Sequence, residues 1–227
     1  MYCCLFPLST RWLTLSFSFS LNSACTWIAA KIEEVTVPTV NDFVYISDNI
    51  YSQDQIREME MEVCATLKFR LQHVTPASYA HEFLMASEQA PCNNGGPSFH
   101  PILRNMVYYL LELSRFPYAL IPVKPSLVAA GAIFLARATL GICDTSPANA
   151  AHARGYWTKA LQYYTGYSVE ELRDTVRIIH DYQRDSESSS LKAIFRKYNK
   201  AKFMFVSAKT SLNEEDLTFS CFMSTHH

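Results

Sequence analysis

Apolar residues recur at helical spacing along most of this chain. In "YSQDQIREMEMEVCATL" (51–67), Ile56, Met59, Val63 and Leu67 fall on one helix face. In "YSVEELRDTVRIIHDY" (167–182), Leu172, Val176, Ile179 and Tyr182 make a comparable face. Both stretches open with the same two devices. With Ser52 as N-cap, Gln55 stands at N3 for a capping box, and Tyr51 and Ile56 stand at N′ and N4 for a hydrophobic staple. With Ser168 as N-cap, Glu171, Tyr167 and Leu172 take the same positions. An alanine-rich segment precedes each: "SACTWIAAKIEEV" (23–35) and "SLVAAGAIFLARATL" (126–140). The order of small-residue helix, turn, short helix and capped amphipathic helix therefore occurs twice.

The second alanine-rich segment carries no charge from Pro125 to Ala136. A helix apolar all round must be buried all round, and this one is too short to span a bilayer, so it is predicted as a core helix of a bundle. Ala129, Ala130, Gly131 and Ala132 let neighbouring backbones come close, and Pro122 and Pro125 suit its first turn. The patterns predict helices at 24–34, 39–48, 53–68, 76–89, 98–116, 124–140, 156–165, 169–184 and 189–199. No run reads as a strand. Thr75-Pro76 and Ser146-Pro147 offer a cap residue followed by proline, and both are minimal proline-directed phosphorylation sites. "EQAPCNNGGPS" (88–98) has the composition of a turn or linker.

Composition narrows the function classes. Apolar residues make up 49% and charged residues 18%, which places the chain among globular proteins. With 6 Gly, few positions adopt positive φ without strain, which favours helices over a turn-rich β fold. The net charge of −1 gives no overall pull toward nucleic acid or an anionic membrane. The exception is local: Lys192, Arg196, Lys197, Lys200, Lys202 and Lys209 follow one another without an acid, a pattern most simply read as a solvated face. The cysteines, Cys3, Cys4, Cys25, Cys64, Cys92, Cys143 and Cys221, are odd in number and irregular in spacing, which argues against a disulfide framework or a zinc site. No G-x-S-x-G, H-E-x-x-H or P-loop occurs, so no catalytic site, metal or cofactor is expected. "WLTLSFSFSLNSAC" (12–25) can be read as a signal peptide, although the apolar run is laced with serine.

At this point the residues resemble cyclins, particularly the mitotic A/B type. "IAAKIEEVTVPTVNDFVYISDNIYSQDQIREMEMEVCATLKFRL" (28–71) resembles the end of a first cyclin box. Residues 76–184, entered by "TPASYAHEFL", resemble a second box, and "SSLKAIFRKYNKAKFMFVS" (189–207) resembles the family's C-terminal tail helix. The resemblance implies an all-α cyclin fold, with one complete five-helix box preceded by a partial box of about three helices. It implies segments at 1–23 (atypical, outside the fold), 24–71 (partial first box), 72–187 (second box) and 188–227 (helix and tail). The family's Met-Arg-x-Ile-Leu helix and destruction box are not found, so 1–23 reads as an abnormal or truncated start.

Cyclins are not enzymes. The resemblance implies a regulatory subunit that binds and activates a cyclin-dependent protein kinase in cell-cycle control, in nucleus and cytoplasm, here impaired by truncation. By motif, Lys31 would donate to carbonyls of the kinase and Glu60 would accept its amides, with apolar contacts from Ile32, Cys64, Phe69 and Leu71. No small-molecule substrate, nucleic acid or membrane partner is expected. The alternative is a cyclin-fold interaction module, similar to transcription factor IIB, without kinase activation. Taken without the family motif, Lys31 and Glu60 are ordinary surface charges.

Overall fold

The computed structural model describes residues 15–88, 101–142, 153–190, 192–209 and 211–212. Every regular element among them is helical. The chain divides into two compact units between His73 and Val74.

The first unit contains α1 (Leu15–Glu33), α2 (Val40–Ile46) and α3 (Gln53–Thr66). α1 lies along α3. Ile28, Val63 and Cys64 form the core of that contact, with Leu21, Ile32, Met59, Leu67 and Leu71 packed around it. A second cluster joins Trp27, Val40, Phe43, Tyr51 and Ile56, so the predicted staple pair closes onto the root of α2. The capping box of α3 forms as expected: the Ser52 N–H donates to Gln55 Oε1 at 2.9 Å, and the Gln55 N–H donates to Ser52 Oγ at 3.3 Å. One expectation is corrected here. Residues 15–23 were expected to lie outside the fold, yet α1 begins at Leu15, Ser20 is buried and Leu21 packs on the α1–α3 core. The reason is continuity: Leu21, Ile28 and Ile32 share one face of α1, which extends the helix stripe upstream.

The second unit contains α4 (Pro76–Glu88), α5 (Pro101–Leu113), α6 (Pro125–Thr139), the single turn α7 (Ala153–Tyr156), α8 (Lys159–Thr165), α9 (Val169–Asp185) and α10 (Ala193–Tyr198). α6 is the predicted core helix. It lies against α4, α5 and α9, and every residue from Val128 to Ala138 is buried. Arg137 lies within that span, and its guanidinium donates from Nε to Tyr156 O at 2.8 Å. Gly131 faces α9, where an added Cβ would meet Thr175 Cγ2 at 3.1 Å. On α9, Leu172, Val176 and Ile179 are fully buried, but Tyr182 stands at the edge, 39% exposed and stacked on Phe116. The capping box at Ser168 and Glu171 forms as expected.

Other boundaries moved for local reasons. The predicted helix 156–165 is broken at Trp157-Thr158, because the Thr158 hydroxyl accepts from Leu161 N–H and starts α8 afresh. Pro122 lies before α6, and Pro125 alone opens it. Thr75 caps α4 by accepting from Ser78 N–H at 3.3 Å. The last predicted helix contracts to Ala193–Tyr198. Ser146-Pro147, residues 98–100 and residues 89–98 of the turn cluster lie outside the described residues.

Two seven-residue helices, α2 and α8, each follow a threonine N-cap, Thr39 and Thr158. Asp42 accepts from the Thr39 N–H at 2.7 Å, a box the sequence reading missed. Each helix then ends in left-handed backbone, at Asp48-Asn49 after α2 and at Gly166 after α8. The repeat therefore extends beyond the two serine caps. The scarcity of glycine is met by left-handed non-glycine pairs, Asp48-Asn49, Lys68-Phe69 and Met204-Phe205, each closing a turn. In each pair the second amide donates five residues back: Asn49 to Val44 O, Phe69 to Cys64 O and Phe205 to Lys200 O.

Candidate partner-docking site

Within the first unit, the last turn of α1, the middle of α3 and the segment after α3 converge. Lys31 sits in the last turn of α1, where a cation is favoured by the helix dipole. Its Nζ is 2.5 Å from Glu60 Oε1, with the lysine side chain 37% exposed and the glutamate 16%. The two charges named from the sequence are therefore brought together, each as the other's partner. Beside them lies a shallow concavity of about 520 Å³, lined by Ile32, Phe69, Arg70, Leu71, Gln72 and His73.

The left-handed pair at Lys68-Phe69 turns the chain at the end of α3. The Lys68 N–H donates to Ala65 O and the Phe69 N–H to Cys64 O at 2.8 Å, which holds this turn in place. Phe69 is thereby left 64% exposed at the rim. Ile32 and Leu71 are half-buried, each packed on the α1–α3 core while lining the concavity. Ile32, Phe69 and Leu71 thus present apolar surface next to the charge pair.

Cys64 is placed differently. The resemblance implies a partner contact here, whereas its place on the α3 stripe reads most simply as a small core residue; it is 6% exposed and belongs to the core under the site. Burial pushes its thiol pKa up, the Glu60 carboxylate adds to the rise and Lys31 opposes it. A thiol held in that state is a packing group, not a nucleophile. Its carbonyl, not its sulfur, shapes the site, by anchoring Phe69.

The sequence reading missed Trp27. The Lys31 ammonium lies over the Trp27 ring, 3.5 Å from the centroid. The available signal was the spacing: Trp27 and Lys31 are i and i+4 on one helix, which stacks them on one face.

In the second unit, the basic run is partly engaged. Lys197 pairs with Glu112 at 2.5 Å, and Tyr198 donates to the same carboxylate at 2.9 Å. Arg196, Lys200, Lys202 and Lys209 are exposed, as a solvated face would be. Among the described residues no group of three His, Cys, Asp or Glu could hold a metal ion, and no helix is long and apolar enough to cross a membrane.

Residues 13–72 match the cyclin N-terminal domain and residues 74–212 match the cyclin C-terminal domain, so the chain belongs to the cyclin family. Its relatives include Cyclin-A3-1 of Oryza sativa subsp. japonica, 38% identical over 180 residues, covering 79% of this chain and 44% of that protein. Cyclin-A1-1 of Arabidopsis thaliana is 35% identical over 192 residues, covering 83% of this chain and 38% of that protein. The relatives are A-type cyclins, and the chain spans less than half their length. The N-terminal domain match starts at residue 13, upstream of the boundary expected at residue 24.

Proposed function

We propose that this chain is a regulatory subunit that binds a cyclin-dependent protein kinase through its first unit and favours the kinase's active arrangement. The reading rests on one observation above the rest: the Lys31–Glu60 pair stands beside an apolar rim formed by Ile32, Phe69 and Leu71. Membership of the cyclin family supports it. A partly exposed ion pair offers donors and an acceptor to a peptide backbone, and charge-assisted hydrogen bonds of this kind are stronger than neutral ones. The apolar rim excludes water around them. Activation follows from population shift: the subunit favours whichever kinase conformation it binds more tightly. The chain supplies no catalytic group of its own on this reading, and it acts where the kinase is found, in nucleus and cytoplasm.

Co-purification with a cyclin-dependent kinase tests the reading. The variant Lys31→Ala/Glu60→Ala loses charge-assisted bonds worth about 1.5–3 kcal/mol each, so binding falls by about a hundredfold or more. A double variant that co-purifies as well as the parent chain refutes this interface.

A further inference from the structure

We propose that Trp27 is a positioning residue that holds Lys31 in the geometry a partner meets; this rests on the kinase-docking reading above. Trp27 is itself locked. It is 8% exposed, its indole Nε1–H donates to Pro38 O at 3.0 Å, and its ring lies 6.2 Å from that of Phe43. One turn later on α1, Lys31 extends across the indole face, with its Nζ 3.5 Å from the ring centroid. Glu60 Oε1 takes the ammonium from the α3 side at 2.5 Å.

A lysine on a helix surface samples many rotamers, and fixing one opposes binding entropically. Here the ring and the carboxylate hold the stem before any partner arrives, which lessens the ordering that association requires. The quadrupole of the indole face attracts the ammonium without accepting a hydrogen bond, so beyond the N–H donated to Glu60 the ammonium keeps donors for carbonyl acceptors. The hydrogen bond to Pro38 ties this arrangement to the loop between α1 and α2, so the placement of Lys31 follows that loop.

Two readouts on the full chain test the proposal. The first needs no kinase. By NMR, the Lys31 ε-methylene protons lie upfield of those of the exposed Lys200, shifted by the indole ring current. They return to the ordinary position in Trp27→Leu. The second is affinity for one cyclin-dependent kinase in a double-mutant cycle. Trp27→Leu weakens binding about two- to tenfold, the size of a cation–π contact at such a site. Trp27→Phe restores part of it, and in a Lys31→Met background Trp27→Leu has no further effect. If Trp27→Leu does not fold, Trp27→Phe carries the same cycle with a smaller expected loss.

Unshifted Lys31 protons in the parent chain overturn the positioning. So does a Trp27 effect of equal size with and without Lys31, which marks a purely structural role. If Lys31→Met binds kinase like the parent chain, the docking reading falls and the proposal with it. The ring-current shift, measured separately, then shows that the contact exists but the interface was misassigned.

Discussion

Gly131→Ala probes the packing on which the second unit depends. Gly131 lies in the middle of α6, where alanine improves helix propensity by about 1 kcal/mol. The new Cβ, however, would stand 3.1 Å from Thr175 Cγ2, inside the roughly 3.5–4.0 Å at which carbon atoms attract. Thr175 is 3% exposed and rooted on α9, so it has little room to yield. Overpacking of this kind costs about 1–3 kcal/mol, so the net expected effect is a loss of up to about 2 kcal/mol. The sign reverses once the obstructing methyl is gone. In a Thr175→Ala background the nearest remaining contacts are Thr175 Cβ at 3.5 Å and Val176 Cγ2 at 3.6 Å, both ordinary. Gly131→Ala then stabilises by about 0.5–1 kcal/mol through propensity alone. The assay is chemical denaturation of the four variants by far-UV circular dichroism, with Trp157 emission reporting on the second unit. Trp157 is 3% exposed, and its ring lies 6.3 Å from that of Phe134 on α6. A stabilising Gly131→Ala in the parent chain, or effects additive within about 0.5 kcal/mol, would refute the close approach of α6 and α9.

Further outcomes follow from the caps, the turns and the tail. Ser168→Ala removes the acceptor for Glu171 N–H and lowers stability in denaturation by about 1 kcal/mol, while Ser168→Gly costs only a few tenths. Gly166→Ala forces a Cβ onto a residue with φ of 73° and destabilises by about 1–2 kcal/mol in the same assay; Asp48→Gly, at φ of 54°, relieves strain of that kind and is neutral to stabilising. Burial pushes the Tyr198 phenol pKa up, and its hydrogen bond to Glu112 raises it further. The neutral phenol is thus favoured in the folded chain: the contribution of this group to stability is fully present below the unfolded value of about 10 and is lost as pH rises beyond it. Tyr198→Phe makes stability less sensitive to pH in that alkaline window, as read by circular dichroism across a pH series.

Much of this architecture was legible because it is written in local chemistry. The serine caps, their glutamine and glutamate partners and the Tyr51–Ile56 staple are short-range devices, and they form where the spacing placed them. The uncharged run of α6 predicted its own burial. What was not legible depends on neighbours far along the chain. Trp27 meets both Pro38 and Lys31 because the loop after α1 folds back. His180 and Gln183 read as polar positions on α9, yet they are buried, with His180 Nε2 within 2.8 Å of Leu212 O. The break at Trp157-Thr158 was hidden for the opposite reason, since a threonine cap inside an aromatic, helix-prone stretch resembles an interior residue until its hydroxyl is seen accepting.

Hydrogen exchange of the chain, alone and with a cyclin-dependent kinase, tests the proposed docking face most directly. Slowed exchange at the end of α1 and across Phe69–His73, with Lys31→Ala/Glu60→Ala abolishing the change, is the predicted result. Protection confined to residues after Val74, or unchanged in the double variant, would contradict it.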